Sequence, residues 1–178
     1  MRSLLITLSL ASALAPVCGT TLERLPLDEM TQKSTAIVRA KVLGSSGILR
    51  GGDVYTLYQI EIIESWKSGA KSDPVEVAVP GGVAGGLRQM VAGAPSLLVG
   101  KEYVMFLWTS RSGLTQLIGL SQGLFDVRRS ARGDAAAMRA AAGELMLDAS
   151  GHAVKDEEVS MKLSHLKAQV NRALWGEK

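Results

Sequence analysis

The stretch from Gly93 to Val127, GAPSLLVGKEYVMFLWTSRSGLTQLIGLSQGLFDV, constrains the fold most. Glu102 to Trp108 is a dense apolar and aromatic run, and Ser110 to Gly113 is polar and ends in glycine. Leu114 to Leu120 is a second apolar run and Leu124 to Val127 a short third. Runs of this kind, bounded by Gly, Ser and Pro, mark β-hairpins. A chain with such a meander must supply other strands to pair with it, so the expected class is mainly β. Val104, Phe106 and Ile118 are expected to face inward on the central hairpin.

The N-terminus bears on the compartment. Arg2 precedes an uncharged, largely apolar run from Leu4 to Ala15, the shape of a secretory signal peptide. The run is too short to span a bilayer, which takes roughly 20 residues. Ala13-Leu14-Ala15 is followed by Pro16, which cleavage tolerates poorly, so cleavage is placed after Gly19 and the mature chain at Thr20. Cys18 offers the alternative of a lipid-tethered protein, although Val17 stands where a small residue is wanted. Cys18 is the only cysteine, so cleavage after Gly19 leaves no disulfide or thiol chemistry. The expected location is periplasmic or extracellular. Enough chain remains for one domain with a sizeable core. The formal charge of +3 is small and evenly spread, which does not argue for nucleic acid. No later apolar run is long enough to cross a membrane.

Leu25 to Ser34 has acids near its start and Lys33 near its end, which suits a short helix. In Ala36 to Leu43, Ile37, Arg39 and Lys41 fall on one face and Val38, Ala40 and Val42 on the other, a half-buried strand. Gly44 to Asp53 reads as a Gly/Ser-rich loop, Val54 to Ser65 as a long strand, Trp66 to Pro74 as a break, and Val75 to Val79 as a strand. Pro80 to Pro95 holds Gly81, Gly82, Gly85, Gly86 and Gly93. It is expected to be a long loop over one end of a barrel, or a binding loop. Arg128 to Gly143 reads as a mobile Ala/Arg-rich excursion in which Asp134 caps a short helix. Leu145 to Val154 is expected to form a hairpin turning at Ser150-Gly151. Asp156-Glu157-Glu158 reads as a solvated charge run. Ser164 is expected to N-cap a last helix whose stripe is Leu166, Val170, Ala173 and Leu174.

Gly119-Leu120-Ser121-Gln122-Gly123 matches G-x-S-x-G, the nucleophile elbow of α/β-hydrolases. That motif needs a strand before the serine and a helix after it. Here LFDV, a strand, follows, so Ser121 reads as a turn residue. Gly100-Lys101 lacks the spacing and the Ser/Thr of a phosphate-binding loop. The two histidines are not at metal-binding spacing, and no carboxylate pair marks an acid–base dyad. Trp66, Trp108 and Trp175 read as packing residues. No cofactor or metal is expected.

The segments LDEMTQKSTAIVRAKV, YTLYQIEIIESWKSG, VEVAVPGG, GAP, GKEYVMFLW and GLSQGLFDV resemble a group of exported bacterial proteins of uncharacterised function. The likeness runs from Leu22 to Val127, with an echo in LSHLKAQV. STAIVRAKV followed by a long strand and W-K-x-G also resembles the start of tissue-inhibitor and netrin-like modules, which are OB-type barrels that bind proteins. Those modules are anchored by cysteines that this mature chain lacks, so the resemblance implies the fold and not protease inhibition.

The expectation is therefore an exported, mainly β protein: a small antiparallel OB-like β-barrel with a short N-terminal helix and a C-terminal hairpin plus helix. Its parts are a signal peptide (1–19), the barrel (20–127), the excursion (128–143), and the hairpin and helix (144–178). A non-enzymatic role is expected, binding another exported protein or peptide. The candidate binding residues are Pro80, Gly81, Gly82, Gly93, Pro95, Ser121 and Gln122. The alternatives are a small hydrolase using Ser121 and a structural envelope component tethered through Cys18.

Overall fold

The computed structural model describes residues 21–67, 75–130 and 133–176. The leader, its cleavage site, Cys18 and most of the break before Val75 lie outside them. β1 (Thr21–Glu23) and α1 (Leu27–Lys33) come first, then the long strands β2 (Ala36–Arg50) and β3 (Asp53–Lys67), then β4 (Val75–Pro80). β5 (Gly82–Ala84) and β6 (Leu87–Gln89) form a small hairpin. β7 (Glu102–Thr109), β8 (Thr115–Leu117), a single 3₁₀ turn (Leu120–Gly123) and β9 (Leu124–Arg129) make the meander. β10 (Ala135–Arg139), β11 (Leu145–Leu147), β12 (Ala153–Val154), β13 (Val159–Lys162) and α2 (Leu163–Trp175) follow. The protein is mainly β, with a helix near each end of the described chain.

β2 and β3 form one antiparallel hairpin, and the main sheet grows from it in the order β13-β10-β9-β7-β2-β3-β4-β8. β8 pairs back onto the end of β7 and meets β4 through Ala78 and Gln116. The strands β2, β3, β4, β8 and β7 are thus linked in a ring, while β9, β10 and β13 continue the sheet outside it. A second sheet joins β1, β11 and β12, with β1 parallel to β11.

Two cores result, because β2 and β7 are buried on both faces. Inside the ring, Val38, Ala40 and Val42 of β2 meet Met105 and Leu107 of β7, with Ile60 and Val77. On the outer face Ile37, Val104, Phe106 and Phe125 pack beneath Met30 of α1 and Leu166 and Val170 of α2. The Phe106 and Phe125 rings are tilted, with centroids 5.8 Å apart. Val104 and Phe106, with Ile118 partly buried beside them, lie in this outer core and not inside the ring, a correction to the inward-facing expectation. Met105 and Leu107, on the opposite face, are just as buried.

Several local expectations are corrected. Gly44 to Arg50 is strand, not loop, paired with Asp53 to Gln59. The second run of the meander is strand only over Thr115–Leu117 before the 3₁₀ turn begins. Within 128–143, Ala135–Arg139 is a strand between β9 and β13, not a helix capped by Asp134. α2 starts directly from β13, so Lys162 and not Ser164 occupies its cap position, with no side-chain cap bond. Asp156 is buried rather than solvated. The hairpin at 145–154 and the buried stripe of α2 are found as expected. Among the described residues, no helix is long and apolar enough to cross a membrane.

Candidate functional site

The glycine-rich segment is not an open loop in its middle. β5 and β6 lie as a hairpin on the β2–β3 pair. The Val54 N–H donates to Gln89 Oε1 at 2.8 Å, and the Thr56 hydroxyl donates to the Gly81 carbonyl at 2.9 Å. A Cβ at Gly47 would fall 1.9 Å from the Val83 carbonyl oxygen. One at Gly82, where φ is 125°, would fall 2.3 Å from Thr56 Oγ1. Gly47 and Gly82 are therefore required by close approach, and Gly82 by its conformation as well. With its backbone pinned, the hairpin holds apolar side chains in solvent: Val83 is 63% exposed, Leu87 52% and Met90 86%, beside Leu49 at 49%. Arg88 is the basic residue of this ledge, while Arg50, on the other face of β2, donates to the Ser112 carbonyl at 2.9 Å.

Of the seven candidate binding residues, Gly93, Pro95 and Ser121 lie together. They line a cleft of about 370 Å³ with Tyr103, Asp126, Arg139 and Glu144. Leu124 and Met138 add apolar wall, and the rest is small: Ala94, and Ala140, Ala141, Ala142 and Gly143. Arg139 anchors that second wall. Its Nη2 donates to Asp156 Oδ1 at 3.1 Å, its Nη1 donates to the Gln122 carbonyl at 3.4 Å, and its guanidinium sits 5.7 Å from the Phe125 ring centre. Burial pushes the Arg139 pKa down, and Asp156 opposes that shift. Asp156 Oδ2 accepts the Ala142 N–H at 2.8 Å. Leu120, just before Ser121 in the chain, has φ 55°, the left-handed region that a branched residue seldom occupies.

The other candidates serve different ends. Pro80 and Pro95 border a smaller cavity of about 190 Å³ with Leu120. Gly81 and Gly82 give their backbones to the hairpin seat. Gln122 is corrected as a surface amide: it is 1% exposed, its Oε1 accepts the Leu25 N–H, and its Nε2 donates to the Glu23 carbonyl. Neither histidine lines the cleft beside Ser121. Among the described residues, no group of three or more His, Cys, Asp or Glu could hold a metal ion.

A second cleft of about 360 Å³ lies where β3, β9 and the start of α2 meet. Five charges alternate in a chain of pairs, four of them lining the cleft and Glu102 not. Lys167 pairs with Glu64, Glu64 with Arg39 (3.7 Å), Arg39 with Glu102 (3.3 Å), and Glu102 with Arg129 (3.2 Å). Lys167 holds the Glu64 carboxyl below its usual range, with help from the nearby Trp66 indole and Arg39. The indole N–H lies beside Glu64 without the geometry of a hydrogen bond.

Sequence reasoning missed Asp126, Arg139, Asp156 and the charge chain. Only Arg39 left a trace, as a charge on one face of an alternating strand. No family model, curated protein or solved structure matches the chain.

Proposed function

We propose that this is an exported, non-enzymatic binding protein on an OB-like barrel, which holds another exported protein through the β5–β6 ledge. One observation carries the reading. Val83, Leu87, Met90 and Leu49 are each exposed within two interlocked hairpins, Val83 on one face of β5–β6 and Leu87 on the other. Large apolar side chains exposed close together on a fixed backbone mark interaction surfaces. Arg88 beside them favours a partner with an apolar centre and an acidic group at its rim. The closed order β2-β3-β4-β8-β7 supports the barrel. The leader from Arg2 to Gly19 supports export.

The test replaces Val83 to Met90 with a short Gly/Ser linker and repeats a pull-down from the exported fraction. Loss of a specific partner with unchanged circular dichroism supports the ledge. Full recovery of the partner by the folded variant places the binding surface elsewhere. Intact mass of exported material is expected to give a chain starting at Thr20. An acylated species beginning at Cys18 would replace that with a tethered protein.

A further inference from the structure

Met90 follows β6 directly and is 86% exposed. The backbone on either side of it is held. Gln89 Oε1 accepts the Val54 N–H. A Cβ at Gly81 would fall 3.1 Å from the Gln89 carbonyl oxygen and 3.4 Å from the Val91 nitrogen. The chain around Met90 is thus packed onto Gly81 while its side chain stands in solvent.

The other methionines differ. Met30, Met105 and Met146 are buried. Met161 is partly buried against the outer core, and Met138 is partly buried in the cleft beside Ser121. Among the described residues, Met90 is the one methionine open to solvent, and no cysteine competes with it for oxidant. A thioether is oxidised only where an oxidant can reach its sulfur, so exposure sets the order of reaction.

We propose that Met90 is an oxidation site, through which a peroxide-class oxidant turns the β5–β6 ledge from apolar to polar and releases its partner. A sulfur lone pair attacks one peroxide oxygen, the O–O bond breaks and an S–O bond forms. The proton on the transferred oxygen passes to the departing hydroxide, which leaves as water. Sulfur loses two electrons and the peroxide gains two. The product is a sulfoxide, polar and chiral where the thioether was apolar. A partner that covers this side chain would then have to bury an oxygen that has lost its water. Partner release rests on the ledge being the binding surface; the site itself does not.

Hydrogen peroxide added to the full chain at neutral pH, followed by peptide mapping over time, tests the site. The first oxygen is expected on the peptide carrying Met90, about tenfold faster than on those carrying Met138 or Met161. Met90→Leu should lose this fast phase and Met138→Leu should keep it. Uptake at Met138 or Met161 as fast as at Met90 overturns the site. Release is read by repeating the pull-down with singly oxidised protein and with Met90→Gln, whose polar side chain stands in for the sulfoxide. Both should recover far less partner at unchanged circular dichroism. Undiminished recovery in both, while the Gly/Ser replacement of Val83 to Met90 loses the partner, overturns the release and leaves the ledge. Undiminished recovery in that replacement as well overturns the ledge and the release with it, and the peptide map alone then decides the site.

Discussion

Gln122 is joined to Leu25: its Oε1 accepts the Leu25 N–H at 2.9 Å, across 97 positions of chain. Its Nε2 donates to the Glu23 carbonyl, also at 2.9 Å. One side chain in the turn between β8 and β9 thereby satisfies two backbone groups of the segment joining β1 to α1. Gln122→Ala would leave both without that partner. We expect a loss of about 2–3 kcal/mol, with no change in the slope of urea unfolding. A midpoint unchanged from the parent would show that water replaces the amide without cost.

Phe106→Ala tests the outer core. Phe106 is fully buried against Phe125 and beneath both helices. Truncation should cost about 3–5 kcal/mol in chemical denaturation. A loss below about 1 kcal/mol would mean that the helices close over the gap and that this core is not packed as described.

The meander was legible because its apolar runs are dense and its turns carry Gly and Ser. What stayed hidden was decided by partners distant in sequence. Gly44-Ser45-Ser46-Gly47 has loop composition, yet each residue pairs with β3, and Gly47 is needed for the approach of Val83. Ala135 to Arg139 has high helix propensity, yet Ala137 is fully buried between β9 and β13. Propensity is a weak preference, and two flanking strands outweigh it. Asp156 shares an acidic run with Glu157 and Glu158, and nothing local distinguishes it. Its burial follows from Arg139, which the strand β10 places opposite. For the candidate site, the neighbourhood of Gly93, Pro95 and Ser121 was foreseeable from turn placement. The inward course of Gln122 was not, since its partners precede it by most of the domain.

The Arg139–Asp156 pair should behave as a buried ion pair. Its side chains are 12% and 2% exposed. Asp156→Ala leaves a buried guanidinium without its counter-charge and the Ala142 N–H without that partner, and should cost about 3–5 kcal/mol. Arg139→Met with Asp156→Leu removes both charges and should recover much of that loss. Thermal unfolding of the two variants decides the matter. If the double variant is no better than Asp156→Ala, the loss comes from packing and not from the stranded charge.

Glu64 predicts a pH dependence. Its folded pKa lies below the ordinary 4.5, chiefly through Lys167. A lowered carboxylate pKa stabilises the folded state above the unfolded value, and that contribution is lost as pH falls through the folded one. Glu64→Gln should therefore be less stable than the parent near neutrality, with the difference shrinking as pH drops below 4.5. Guanidinium unfolding would mask the charge effect by screening, so urea at low salt is the proper measurement. A difference that stays constant down to acid pH would assign the effect to lost hydrogen bonding alone.

Gly47→Ala tests the link from hairpin seat to function. The Gly47 backbone lies outside the left-handed region, so alanine is conformationally acceptable there. Its methyl would nevertheless start 1.9 Å from the Val83 carbonyl oxygen, a backbone atom that cannot rotate away. The β5–β6 hairpin must lift, taking with it the contact between Gln89 and the Val54 N–H. The ring core does not include this hairpin, so global stability should fall by only about 1–2 kcal/mol. Hydrogen exchange should rise at Val54 and along residues 82–89 while β7 stays protected. If the ledge is the binding surface, partner capture should fall with this single methyl, although Val83, Leu87 and Met90 are all retained. Capture undiminished alongside faster exchange in the hairpin would show that the partner does not read the ledge as a fixed surface.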